Sequence, residues 1–206
     1  TNDNGGSAVT DNWTLSATGG PTPISGTSGS PDVTAAAVNA GVYTLAESTG
    51  PAGYTPGNWS CTAGTLNGST LTLAAGQSAT CTINNNDNAP SLTLNKVVIK
   101  DNGGTASASD WTLEAAGPTP ISGSGGAVSD DSFDAGTYTL SESGPDGYTA
   151  SEWECSGGIQ NGDQITIGLG ENVTCEITND DNGPSLELIK HVINDNGGPA
   201  SASDWT

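Results

Sequence analysis

Positive charge is nearly absent from this chain. It has three lysines (Lys96, Lys100 and Lys190), no arginine and 23 acidic residues, for a formal net charge of −20. A phosphate backbone is repelled by such a surface, and an anionic bilayer gains nothing from it. Nucleic acid is excluded as a partner, no membrane insertion is expected in this segment, and cations or neutral surfaces are favoured. The acidity also keeps a long secreted polymer soluble and stops lateral clumping. Histidine is almost missing too: His191 is the only one. With no second histidine and two widely spaced cysteines per repeat, a tetrahedral zinc set cannot be assembled. No Ser/His/Asp, Cys/His or metal constellation recurs, so an enzyme is the weakest class. Helical periodicity is lacking, because glycine, threonine and serine interrupt every stretch that would carry an apolar i, i+3, i+4, i+7 stripe. No signal peptide, membrane-spanning run or sorting tail is visible, and a segment cut from a longer array would have lost all three.

Self-similarity is what the sequence does have. Asp3-Asn4-Gly5-Gly6 returns as Asp101-Asn102-Gly103-Gly104 and as Asp195-Asn196-Gly197-Gly198, at an offset of 98 and then 94 residues. Asn12-Trp13-Thr14, Asp110-Trp111-Thr112 and Asp204-Trp205-Thr206 keep the same register, as do Trp59-Ser60-Cys61 and Trp153-Glu154-Cys155. A unit of this length is an ordinary single-core domain. The expected organisation is a first repeat over 1–90 whose first strand is missing or supplied from outside, a second over 91–184, and the start of a third over 185–206.

The four cysteines fall as Cys61 with Cys81 and Cys155 with Cys175, each pair separated by 20 residues. One disulfide per repeat follows, and with it an oxidising, extracytoplasmic setting. Strict alternation in Leu92-Thr93-Leu94, Tyr138-Thr139-Leu140, Gln164 to Ile167 and Val173 to Ile177 reads as half-buried strands. Asn67-Gly68 and Asn161-Gly162 between such runs predict type I′ hairpin turns. The Gly/Ser/Pro-rich stretches Pro21 to Asp32 and Pro118 to Ser129 read as surface loops. Asx-rich junctions ending in Pro90 and Pro184 are too short to be floppy linkers, which predicts a semi-rigid rod. Trp13, Trp59, Trp111 and Trp153 are expected in the cores. The fold class is therefore all-β: tandem antiparallel, Ig-like β-sandwich domains with one disulfide each.

Alternation also aims polar groups inward. Leu92, Leu94, Lys96 and Val98 share one face, and Leu186, Leu188, Lys190 and Val192 repeat the set. Tyr138, Leu140 and Glu142 place a carboxylate on an apolar face, as do Tyr43, Leu45 and Glu47. Ile177 with Asn179, and Ile83 with Asn85, add a carboxamide. Unpaired buried charges cost several kcal/mol, so these groups must meet one another. An ammonium held in an apolar site loses its proton more readily and becomes a nucleophile. A neighbouring Glu can polarise the carboxamide and shuttle the proton, ammonia leaves, and a Lys–Asn isopeptide bond remains. A buried Lys–Glu pair hydrogen-bonded to Asn without covalent closure is the other reading of the same residues.

An inward lysine on the first strand, a Tyr-x-Leu-x-Glu-Ser-x(1–2)-Pro-x-Gly-Tyr block (Tyr43 to Tyr54 and Tyr138 to Tyr148) and Ile-x-Asn on the last strand together resemble the CnaB-type, prealbumin-like (SpaA-like) repeat domains of Gram-positive surface proteins and pilins. The resemblance runs through each repeat. It implies that Lys96 and Asn179 are joined with Glu142 as catalyst, and that Glu47 and Asn85 await a lysine preceding Thr1. By the same token Lys190 belongs to the third repeat. It further implies a structural role as an extracellular stalk, or as a fibre or pilus-like filament whose partners are neighbouring repeats or copies of itself. The competing class is a surface adhesin module that binds glycan or host protein through its loops. No cofactor is expected. Calcium is the one candidate ion, with Asp101, Asn102, Asp180 and Asp181 as oxygen ligands near a junction, although Asx-Gly clusters are also ordinary turns.

Overall fold

The structure, a computed structural model, describes residues 1–205. Repeat one contains β1 (Thr14–Thr18), β2 (Ile24–Thr27), β3 (Gly41–Glu47), β4 (Tyr54–Pro56), β5 (Ser60–Cys61), β6 (Thr65–Asn67), β7 (Thr70–Leu73), β8 (Cys81–Thr82) and β9 (Asn85–Asp87). Repeat two contains β10 (Ser91–Ile99), β11 (Thr112–Ala116), β12 (Ile121–Ser124), β13 (Gly126–Val128), β14 (Gly136–Ser143), β15 (Tyr148–Ala150), β16 (Glu154–Ser156), β17 (Ile159–Asn161), β18 (Gln164–Ile167) and β19 (Asn172–Asp181).

Repeat two is a complete sandwich. One sheet runs β12-β11-β14-β18-β17, and the other runs β13-β10-β19-β15 with β16 also on β19. All pairings are antiparallel except one: β10 and β19, the first and last strands of the repeat, lie parallel from Ser91↔Asn172 to Ile99↔Asp180. The rest of the domain is the crossover that a parallel pair requires. Period-two alternation buries Leu92, Leu94, Leu113, Leu140, Ile165 and Val173 between the sheets. Phe133, which has no counterpart in repeat one, stacks on Tyr138 at 4.6 Å and completes that core.

Repeat one keeps the sheet β2-β1-β3-β7-β6, but the facing sheet is reduced to the two-stranded pairs β4-β9 and β5-β8. No strand takes the place of β10. Positions equivalent to buried core residues of repeat two are consequently only half-buried: Leu15 for Leu113, Ala17 for Ala115, Ala79 for Val173, Cys81 for Cys175. Trp59 follows the same pattern. It is half-buried where Trp153 is buried, so the expectation of a core tryptophan fails at this position because its cover is missing.

The disulfides form as spaced, with S–S distances of 2.03 Å for Cys61–Cys81 and 2.07 Å for Cys155–Cys175. Each joins directly opposed residues of an antiparallel pair. Three local expectations are corrected. The stretches read as loops contain the edge strands β2, β12 and β13, which gain a ladder from their neighbours that their composition does not advertise. The hairpins turn one residue later, at Gly68-Ser69 and Gly162-Asp163, since Asn67 pairs with Thr70 and Asn161 with Gln164. Only the glycine has positive φ there (60° and 59°), the type II′ pattern. Finally, 185–193 forms no strand among the described residues, and Leu186, Leu188, Ile189 and Ile193 are 69–85 % exposed.

The repeats meet through hydrogen bonds from both sides. Asn4 is buried: its Nδ2 donates to the Asp131 and Phe133 carbonyls at 3.0 and 3.3 Å, and its carbonyl accepts from the Ala135 N–H. Gly170 N–H donates to the Asn88 carbonyl. No helix among the described residues is long and apolar enough to cross a membrane.

Candidate functional site

β10 places Lys96 two positions beyond Leu94 on the inward face, and the parallel register sets it opposite Ile177 and diagonal to Asn179. Glu142 arrives from β14 in the other sheet, two positions beyond Leu140. The three residues that alternation aimed inward are thus brought together across the sandwich. Lys96 Nζ donates to Asn179 Oδ1 at 2.6 Å and to the Ile177 carbonyl at 3.2 Å, and stands 3.0 Å from Glu142 Oε2. Its side chain is 0 % exposed, and the face of Trp111 lies 5.2 Å from the ammonium. Burial pulls the Lys96 pKa below its ordinary value of 10.5, opposed by the hydrogen bond to Glu142 and by the charge there. The arrangement holds an amine against a carboxamide, with a carboxylate in reach of its protons and water excluded.

Repeat one holds the same site without its lysine. Asn85 Nδ2 donates to Glu47 Oε2 at 3.0 Å, while Asn85 Oδ1 is buried with no hydrogen-bond partner among the described residues. That oxygen corresponds to the one that accepts from Lys96 in repeat two. Lys190 lies elsewhere, in the exposed segment after β19, with its Nζ 5.1 Å from the Trp205 ring.

The Asp-Asn-Gly-Gly motif has a use that the sequence reading missed. Asp181 is buried at the end of β19, and its carboxylate accepts the N–H groups of Asp101 (2.9 Å), Asn102 (3.0 Å) and Gly104 (2.5 Å). Asp87 is held identically by Asp3, Asn4 and Gly6 at 3.0, 2.9 and 2.8 Å. Desolvation raises the Asp181 and Asp87 pKa values, but the several backbone donors together outweigh it and both lie below the ordinary 3.8. The loop is a nest of amides closed on a carboxylate of the last strand. Tyr148 and Tyr54 complete it, their hydroxyls accepting from the Ala106 and Ala8 N–H groups. The signal was present in the sequence as continued alternation: Ile177, Asn179 and Asp181 share one face. Asp101, Asp180 and Asp181 do bring carboxylate oxygens within 4.8 Å of one another, as a calcium site requires. Asp181, however, directs both oxygens at peptide N–H groups, so its first role is to anchor the loop.

Known proteins agree with this architecture. The family model described as "Prealbumin-like fold domain" matches residues 1–83 and again 87–177. No curated protein matches the chain. Among solved structures, the TIE protein of Bacillus anthracis is similar at 16 % identity and TM-score 0.50, over 82 % of this chain and 31 % of that one. A C-terminal fragment of the pilus adhesin SpaC from Lactobacillus rhamnosus GG gives 16 % and 0.43, over 89 % and 95 %. A major pilin of Streptococcus pyogenes gives 14 % and 0.38, over 82 % and 89 %. With both repeats matched, the chain belongs to the family of prealbumin-like fold domains.

Proposed function

We propose that this chain is a load-bearing segment of an extracellular stalk or pilus-like filament, and that Lys96 and Asn179 become joined by an isopeptide bond. The observation that carries the reading is the buried Lys96–Asn179 contact of 2.6 Å between the first and last strands. Those strands are parallel neighbours, so tension entering at the start of β10 and leaving at the end of β19 loads their ladder in shear. A covalent bridge there carries the load past the core. The Cys155–Cys175 disulfide joins β16 to β19 and leaves β10 free. Two disulfides suit an oxidising exterior, and the acidic surface suits a soluble polymer.

The two repeats hold complementary halves of the chemistry. Glu142 stands beside the nucleophilic nitrogen in repeat two, and Glu47 beside the leaving nitrogen in repeat one. Burial favours the neutral amine. Its nitrogen attacks the Asn179 carboxamide carbon, the glutamate relays the proton from the amine to the departing NH2, the C–Nδ2 bond breaks, and ammonia leaves. Atoms balance without cofactor or energy source, and the reaction occurs once per site, so the protein is no enzyme in the turnover sense. A purely non-covalent triad is the second reading, favoured by the two carbonyl acceptors and the carboxylate counter-charge that already surround the lysine ammonium.

Single-molecule pulling separates them. In the linked molecule the chain between Lys96 and Asn179, 83 residues apart, cannot extend. Under reducing conditions Asn179→Ala should gain about 290 Å of contour length from repeat two that the parent lacks, at about 3.5 Å per residue. Equal lengths for the two proteins would leave only the hydrogen-bonded triad.

A further inference from the structure

Hydrophobic alternation fixes which face of β10 turns inward, but not how far β10 slides along β19. A slip of one residue would turn Lys96 out of the sandwich. A slip of two keeps Leu92, Leu94 and Val98 on the apolar face and carries Lys96 about 6.6 Å along its neighbour, away from the Asn179 oxygen that it holds at 2.6 Å. The bond proposed above needs one of these registers. At the start of the pair Ser91 Oγ donates to Asn172 Oδ1 at 2.7 Å, an exposed contact that water replaces at little cost. At the other end stands Asp181, two residues beyond Asn179 on the same inward face and 5 % exposed. Its carboxylate accepts from the Asp101, Asn102 and Gly104 N–H groups, and its carbonyl accepts from Asn102 Nδ2 at 3.0 Å. All four donors belong to the loop that leaves β10 after Ile99.

We infer that Asp181 is the register stop of repeat two, a positioning residue that closes the nest, holds β10 against β19 and so sets Lys96 Nζ on the Asn179 carboxamide. The inference rests on the isopeptide reading and adds to it the residue that makes the reactive geometry. A slipped β10 would withdraw the amides and leave a buried carboxylate without donors, which costs far more than the exposed Ser91 contact returns. The nest, and not the length of the intervening chain, decides where the loop closes. Asp3 to Asp87 spans 84 residues and Asp101 to Asp181 spans 80, yet each carboxylate takes the same three amides. A second connection runs from the nest to the lysine through aromatic rings. Tyr148 pairs with Asp181 in the β15–β19 ladder, and its hydroxyl accepts from the Ala106 N–H at 3.0 Å. Its ring packs perpendicular to Trp111 at 5.0 Å, and the Trp111 ring lies 5.2 Å from Lys96 Nζ. Asp181 spends both carboxylate oxygens on peptide N–H groups, so it takes no part in the proton relay and acts by position alone.

Cell-free synthesis under oxidising conditions, followed by intact mass over time, reads the rate at which ammonia is lost. Asp181→Asn should lower that rate about a hundredfold, as a displacement of about 1 Å does in oriented reactions. Tyr138→Phe loses a hydroxyl bond to the Asp134 carbonyl in the other sheet, and should link at the parental rate because it weakens the fold without touching the register. Should Asp181→Asn fail to fold, Gly104→Ala keeps the carboxylate but crowds it, with a Cβ 2.7 Å from Asp181 Oδ2, and should also slow the bond. Register is read without the bond in Glu142→Ala, by cross-strand nuclear Overhauser effects between β10 and β19. These should follow Ser91↔Asn172 to Ile99↔Asp180 in that chain, and shift or vanish once Asp181→Asn is added. A parent that never loses ammonia refutes the isopeptide reading and leaves the register comparison to decide the inference. Asp181→Asn linking at the parental rate, or Gly104→Ala doing so where the first variant does not fold, overturns it. An unchanged register in the double variant, or an equal slowing in Tyr138→Phe, overturns it as well.

Discussion

At the scale of single residues, Lys96 is the feature on which most depends. Strand alternation was enough to place it inward with Glu142 and Asn179, because a half-buried strand leaves no other face for a residue between Leu94 and Val98. What alternation could not give is the diagonal from Lys96 to Asn179, which depends on a parallel register fixed by residues far apart in sequence. The lysine's titration yields a test on Asn179→Ala, which has no carboxamide to attack. With the folded pKa lowered by burial, the unfolded chain holds more protons than the folded one between that lowered value and 10.5. Stability therefore rises with pH through that window, the reverse of a favourable ion pair. Chemical denaturation across pH 7 to about 10 should show this rise, and Lys96→Met/Asn179→Ala should lack it. Comparing the two variants cancels Tyr138, whose pKa is raised by burial and which acts near the top of the same range. Parallel profiles would mean that the lysine is not desolvated.

At the scale of elements, the loop after the first strand is tied to the end of the last by three amides on one aspartate in each repeat. The repetition of Asp-Asn-Gly-Gly was plain in the sequence, but its partner lay some 80 residues away, so composition alone suggested turns or a cation. The glycines are explained by contact. A Cβ on Gly104 would lie 2.4 Å from Tyr148 Oη and 2.7 Å from Asp181 Oδ2. Gly104→Ala should therefore cost about 1–3 kcal/mol in an unfolding titration, as overpacked sites do. A change within experimental error would show that the loop can shift without loss. Turn chemistry was half legible: glycine marked both hairpins, but an Asn-Gly pair fits a I′ turn and the strands instead pair one residue further on. The edge strands β2, β12 and β13 were invisible because Gly/Ser/Pro-rich segments carry no period, and their ladders come from their neighbours.

At the scale of the whole molecule, the difference between the repeats follows from one strand. Repeat two has a first strand, a continuous last strand and a closed core; repeat one lacks the first and shows a divided last strand and a cleft. The periodicity carried the expectation of an inward lysine strand before Thr1. Load and covalent closure converge on the Lys–Glu–Asn site. Intact mass of the purified, non-reduced chain, followed by peptide mapping, tests it most directly. The account predicts a deficit of one ammonia, about 17 Da, per complete site beyond that of the disulfides, as amide exchange requires. It also predicts a branched peptide joining Lys96 to Asn179, absent from Glu142→Ala. A mass that matches the disulfide-bonded sequence, with Lys96 and Asn179 recovered in separate unmodified peptides, would contradict it.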